Sequence, residues 1–370
     1  MATIFDDIQD PRLDRKKAHP LENILVISLC AIIASAEDFV SIEKYGNAKL
    51  PWFSSFLDME NGVPSHDTFR RVLSILKPAA LEKCFRRWVN TLASNLDGEV
   101  IAVDGKSLRR AHNKKKNRSA IHMVSAWALE YQVILGQVKT EEKSNEITAI
   151  PELLQALELS GSTITIDAMG CQKEMAKQIV ERGGHYVIGL KDNQPSLRQQ
   201  VEEFISDAQA QDFDSVACDY HETVEKGHGR QERRRYWHVD LAGSTVDTDQ
   251  WQGLSSVMRV ESERKIKDKT SLEHRYDISS YTTIDAKLAA RAVRGHWGIE
   301  STHWSLDMSF REDESRTREG YAQENLSIFR RLALNLLKQE KTAKVGVKNK
   351  RLMAGWNDLY MDKVLNLLKI

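Results

Sequence analysis

Apolar residues recur at helical intervals through residues 1–95, in four stretches: Leu21 to Ala36, Phe39 to Tyr45, Asp67 to Leu76 and Ala79 to Leu92. Each is predicted to form a helix. Ser65, following Pro64, has the side chain to cap the third. From Gly98 the period changes to that of strands. Glu99 to Asp104 reads as a short buried strand, and Ile121 to Trp127 and Val133 to Val138 flank Glu130-Tyr131-Gln132 as a hairpin. The pattern then alternates. Ile150 to Leu159 is predicted helical, Thr163 to Asp167 extended, Glu174 to Arg182 helical with Gly183-Gly184 closing it, His185 to Leu190 extended, and Gln194 to Ala208 helical. Strand, hairpin, helix, strand, helix, strand predicts a mixed α/β sheet. Between about 210 and 283 the chain turns strand-like again, notably at Tyr236 to Val239 and Ser255 to Val260, before a late helix. The expected division is therefore a helical region at 1–95 and an α/β domain at 96–370 carrying a β-rich insertion.

Two predicted strands end on acids: Asp104 follows Val100-Ile101-Ala102-Val103, and Asp167 follows Ile164-Thr165-Ile166. On the late helix, at about 100° per residue, Val293, Trp297, Trp304 and Met308 share one face. That spacing predicts a core-facing Glu300 among them. A buried carboxylate is costly unless a cation or strong donors compensate it. Three carboxylates so placed would suit divalent metal and phosphodiester chemistry. Taken singly, a strand-end Asp is more often a turn cap, and Glu300 has Arg291 and Arg294 as plain ion-pair partners.

Composition narrows the field. The 370 residues include 53 basic and 53 acidic side chains, which excludes a uniformly basic coat but not local patches. Four scattered cysteines suggest neither a disulfide framework nor a zinc knuckle and fit a reducing compartment. The apolar run Ile24 to Ala36 is too short to cross a bilayer, and the acidic N-terminus does not resemble a signal peptide, so a cytoplasmic protein is expected. Glu300-x-x-His303 has the spacing used in di-iron bundles, but its only counterpart, Glu225-x-x-His228, lies in a Gly-rich turn. Neither an H-E-x-x-H zinc motif nor a phosphate-binding P-loop occurs.

Val103-Asp104-Gly105-Lys106, Ile166-Asp167-Ala168 and His296-Trp297-Gly298-Ile299-Glu300 resemble the three acidic motifs of DDE transposases with an RNase H-like fold. Further segments are similar to the H-repeat-associated branch of bacterial insertion-sequence transposases: Asp10-Pro11-Arg12, Pro64 to Arg71, Lys143-Ser144-Asn145-Glu146-Ile147 and His303 to Asp307. The resemblance covers nearly the whole chain. One departure concerns the late helix, where related enzymes carry Tyr and Arg before the catalytic Glu and Lys after it. Here those places hold Val293, His296 and Asp307.

The resemblance implies an RNase H-like mixed sheet flanked by helices. It also implies two-metal catalysis, with Asp104, Asp167 and Glu300 as both catalytic and metal-binding residues, and Mg2+, or Mn2+ in its place, as cofactor. The activity implied is cleavage at element ends and transfer of the freed 3'-OH to target DNA. The partners implied are double-stranded DNA and a second copy of the chain. Expected DNA contacts are Lys106, Arg109, Arg110, Lys114, Lys115, Lys116 and Arg118 after the first Asp, and Arg230, Arg233, Arg234 and Arg235 in the insertion. Arg70 and Arg71 on the third helix, and Arg294, His296 and His303 near Glu300, complete the set. Trp237 and Trp251 are candidates to stack on an unpaired base, though core packing explains both as well. Two alternatives stay open: a catalytically inactive, transposase-derived DNA-binding protein, and an RNase H-like nuclease without strand transfer.

Overall fold

The computed structural model describes residues 4–108, 121–140, 146–227 and 229–368. Five helices open it: α1 (Leu21–Ile33), α2 (Phe39–Ala48), α3 (Leu50–Phe53), α4 (His66–Ile75) and α5 (Pro78–Leu92). Asp38 and Ser41 form a reciprocal capping box on α2, and Ser65 caps α4 by accepting from Thr68 N–H. Helix α1 is buried almost throughout because its apolar residues leave no polar face.

The sheet is built from β1 (Val100–Leu108), β2 (Ile121–Ala128), β3 (Val133–Lys139), β4 (Thr163–Ile166) and β5 (His185–Leu190), with α6 (Glu146–Gln155) before β4 and α7 (Lys173–Glu181) after it. Helix α8 (Pro195–Ala210) leads to four long strands: β6 (Cys218–Gly227), β7 (Arg230–Asp240), β8 (Ser256–Ile266) and β9 (Lys269–Ser279). Among the described residues all nine strands join one sheet in the order β3-β2-β1-β4-β5-β9-β8-β7-β6. Strands β1, β4 and β5 run parallel, and every other pairing is antiparallel. The architecture is a mixed α/β fold consistent with an RNase H-like domain. The insertion is not a separate layer: β9 pairs with β5 and carries the sheet onward. Only short segments of these strands read as apolar in sequence, because their distal halves face solvent on both sides.

The chain closes with α9 (Ala286–Gly295), α10 (Trp297–Phe310), α11 (Ala322–Gln339), α12 (Val347–Trp356) and α13 (Asp358–Leu365). Helix α11 packs against α1, α4, α5 and β3, so the N-terminal helices and the sheet share one apolar core running from Ile4 to Leu365. Among the described residues no helix is long and apolar enough to cross a membrane.

Candidate active site

The parallel register aligns Val103 with Ile166, so Asp104 and Asp167 are the next residues on neighbouring strands. Both stand at the C-terminal edge of the parallel core, where open α/β sheets bind ligands. Gly105 N–H donates to Asp104 Oδ1 at 2.8 Å, and His303 Nδ1 lies 3.4 Å from Asp104 Oδ2. Burial alone would raise the Asp104 pKa, but His303, His296 and the Gly105 N–H outweigh it and hold the carboxyl below its usual range. Asp167 is in the opposite state. Burial raises it, the charges of Glu146 and Asp104 add to that, and the Gly170 N–H only partly offsets them. Its Oδ1 accepts from Met169 and Gly170 N–H at 3.0 and 3.3 Å, while Oδ2 has no protein donor among the described residues.

Glu300 is placed differently from the expectation. It is exposed on α10, and so are Trp297, Trp304 (64% exposed) and Met308. The buried face of that helix is Ile299, Thr302, His303, Leu306 and Phe310. The apolar stripe was expected to mark the core face; the core instead takes a face with two polar residues, and the Trp stripe with its Glu is turned outward. The chain is jointed at Gly295 and His296, which separates Val293 from that stripe. Gly298 is required there: a Cβ on it would sit 2.8 Å from Trp127 Nε1. His296 lies at that joint, as the N-cap residue of α10. It is buried, bonded to Thr165 Oγ1 at 3.1 Å, and pushed below the usual imidazole range by burial and by Arg275, against the pull of Asp104, Glu300 and Asp167.

The donor set near the aspartates is carboxylate oxygen without thiolate, which fits a hard cation such as Mg2+. Asp167 Oδ2, without a protein donor among the described residues, is the oxygen that could take a cation there. Even so, no group of three or more His, Cys, Asp or Glu side chains is gathered tightly enough to hold a metal among the described residues. The fold pairs the two aspartates and leaves Glu300 on the neighbouring helix surface.

Several expected DNA contacts are not surface cations. Lys106 is buried, 6% exposed, against Asp307 (2.5 Å), Asp313 (2.9 Å) and Glu312 (3.8 Å). Its two-residue offset from Asp104 points it to the same side of the strand, under α10. His296 and His303 are likewise buried. In the insertion, Arg230 pairs with Glu232 and Arg233 with Glu222, while Arg234 engages Glu225 and Glu232 and Arg235 engages Glu261 and Glu263. Arg235 and Glu261 are direct register partners, Arg230 and Arg234 reach Glu232 two places along their own strand, and Glu222, Glu225 and Glu263 are diagonal neighbours. Arg294 is exposed, near Glu225 and over the Trp297 ring at 5.0 Å. Arg70 pairs with Asp67 and Glu319, and Arg71 is exposed. Trp251 is buried, and Trp237 lies under Arg259. Arg109, Arg110, Lys114, Lys115, Lys116, Arg118, Lys143, Ser144, Asn145 and His228 lie outside the described residues.

Two nearby groups escaped sequence reading. Glu146 accepts from His122 Nε2 at 2.8 Å above Gly105, where a Cβ would meet its Oε1. Arg275, on β9, is held by the fully buried Asp277. The Arg-x-Asp spacing on one strand face was the available signal.

Comparison with known proteins agrees with this architecture. Residues 95–336 match the Transposase DDE domain family, and residues 2–89 match the DDE_Tnp_1-associated family. The chain is 43% identical over 363 residues to the putative transposase YncI of Escherichia coli O157:H7, covering 97% of this chain and 92% of that protein. It is 39% identical over 364 residues to the H repeat-associated putative transposase YhhI of Escherichia coli strain K12, covering 97% and 95%. A shorter match, 42% over 65 residues, is to the inactive transposase YbfQ of strain K12, covering 18% of this chain and 77% of that protein.

Proposed function

The chain belongs to the DDE transposase family, and on that premise we propose that it cleaves phosphodiester bonds at element ends and joins the freed 3'-OH to target DNA. The observation that carries this reading is that Asp104 and Asp167 each directly follow the last register pair, Val103 and Ile166, of adjacent parallel strands. Asp104 and Asp167 would hold divalent metal, with Glu300 brought in from α10 when DNA is bound. Bound metal would activate the attacking oxygen and stabilise the leaving one.

The chain's own groups prepare that site. His303 and the Gly105 N–H keep Asp104 ionised and fixed, so a ligating oxygen is present at neutral pH. Two backbone N–H groups hold Asp167 Oδ1 and leave Oδ2 for a ligand. His296, buried and held below the usual imidazole range, adds no competing cation beside the acids at neutral pH. DNA would be held by the basic run from Arg109 to Arg118, by Arg70 and Arg71, and by Arg294, with a second protomer on the other end.

A second reading is a catalytically silent DNA-binding descendant. It is favoured by the separation of Glu300 from the aspartates. Incubation with end DNA, a supercoiled plasmid and Mg2+ discriminates. Strand-transfer products support the proposal, nicks alone indicate a nuclease, and retention without cleavage indicates the silent descendant.

A further inference from the structure

Strand β9 runs antiparallel to β5, with Gly189 opposite Asp277 and Leu190 opposite Tyr276. Arg275 is therefore one residue beyond the last pair, at the same C-terminal edge of the parallel core as Asp104 and Asp167. A Cβ on Gly189 would lie 3.2 Å from Ala168 N, 3.5 Å from Arg275 Nη2 and 3.6 Å from the carbonyl carbon of Asp167. The guanidinium and the Asp167 backbone thus converge over the one position of β5 that has no side chain.

Arg275 is rigidly held. Its Nε donates to both Asp277 oxygens at 3.0 and 3.1 Å, and Nη2 donates to Oδ1 at 2.6 Å. Asp277 is fully buried. Nη1 makes no hydrogen bond to protein among the described residues, so the fork keeps an unused donor edge. Beside it is a cavity of about 90 Å³, lined also by Arg234, Tyr236, Arg294 and Trp297. The charges of Asp167 and Glu300 both reach Arg275, after that of Asp277.

We infer that Arg275 is a catalytic residue of this enzyme, supplied by the insertion, whose free Nη1 edge donates to a non-bridging oxygen of the scissile phosphate. This rests on the cleavage reading above. It accounts for the departure on the late helix, where His296, buried and neutral, occupies the place of an arginine. The cation is delivered from β9 instead. A pre-organised guanidinium is suited to this work, because its geometry is set before charge develops on the phosphate.

Removing Arg275 alone would strand Asp277 as a buried unpaired charge. The test therefore uses Arg275→Ala/Asp277→Asn beside wild type, on duplexes carrying an element end. The expected result is a loss of about 100-fold or more in cleavage rate, as for removal of a transition-state donor, with DNA affinity within about 5-fold of wild type. Added guanidinium should restore part of the rate. Wild-type cleavage by the double variant would overturn the assignment and make the Arg–Asp pair structural. A second measurement needs no cleavage: one methylphosphonate at the element–flank junction should weaken wild-type binding but not that of the variant. If wild type cleaves nothing yet this coupling is present, the activity reading fails and the Arg275 contact stands. Equal weakening of both proteins refutes the contact.

Discussion

Lys106 Nζ lies 2.5 Å from Asp307 Oδ1, joining the strand that carries Asp104 to the helix that carries Glu300. The ammonium has three N–H groups and donates to Asp313 Oδ1 at 2.9 Å as well as to Asp307. Along the same interface His303 meets Asp104, so strand residues two apart face helix residues four apart. The pair explains why an acid stands where related enzymes carry a lysine: here the lysine is on the strand. Glu312, fully buried, extends the network to Arg331 at 2.9 Å, and Arg331 reaches Ser125, the register partner of Asp104.

Lys106→Met should therefore act on stability rather than DNA affinity. It would leave Asp307, Glu312 and Asp313 with too little positive charge, at a cost of about 3–5 kcal/mol for breaking a buried pair. Chemical denaturation should register that loss, and the salt slope of DNA binding should be unchanged. A shallower slope without loss of stability would return Lys106 to the phosphate-contact role.

Asp104→Asn keeps the shape of the side chain and removes its charge. Mg2+-dependent cleavage should fall below detection while DNA binding persists, because the affected group is a carboxylate inside β1 and not one of the exposed cations. Gel retention alongside a nicking assay checks both halves. Undiminished nicking by the variant would sink the assignment.

Most of the phosphate contacts are expected in the basic run after β1. Replacing Arg109, Arg110, Lys114, Lys115 and Lys116 by Gln should flatten the dependence of binding on salt, since each phosphate neutralised contributes about 0.9 to the slope on B-form DNA. The measurement is a binding isotherm at several salt concentrations. An unaltered slope would make this a solvated loop.

Asp104 and Asp167 were readable because short buried runs, Val100 to Val103 and Ile164 to Ile166, lead directly into them, although β1 runs on past Asp104 to Leu108. Glu300 was misplaced for the converse reason. Period alone cannot say which of two faces is buried, and the core face of α10 includes Thr302 and His303 while the outer one includes Trp297 and Trp304. Charge runs misled in the same way. Lys106 and the arginines of β7 look available in one dimension, and most of their acidic partners arrive through strand pairing and a distant helix, with Glu232 two places along β7 itself. Arg275 was missed because its local signal, an acid two places on along the same strand, does not report that β9 pairs with β5 beside Asp167.

Gly298→Ala tests how tightly α10 must sit on the sheet. A helical Gly to Ala change normally stabilises by about 1 kcal/mol, but this Cβ would press on Trp127 at 2.8 Å. The clash should dominate, costing about 1–3 kcal/mol and moving the first turn of the helix, which contains Glu300. Cleavage should drop by about 10-fold or more with DNA affinity retained. A variant more stable than wild type and fully active would show that the helix has slack there.

Glu82 supplies a pH dependence remote from the catalytic chemistry. Its side chain is buried between α5 and β3, with Oε1 accepting from Gln137 N–H at 3.0 Å and Oε2 without a partner among the described residues. Burial pushes its pKa from 4.5 up to about 7, against the opposing effects of the Gln137 N–H, Arg86 and Arg331. A raised carboxyl pKa means that the folded state holds its proton more tightly than the unfolded chain. The associated stability is complete below 4.5 and is lost as pH rises through about 7. Glu82→Gln removes the ionisation and keeps an acceptor for Gln137. At about pH 8 the variant should be more stable than wild type, by up to about 3 kcal/mol, with the advantage vanishing at about pH 4. Urea denaturation at the two pH values decides the matter, and an advantage of equal size at both would mean that packing, not the proton, governs this position.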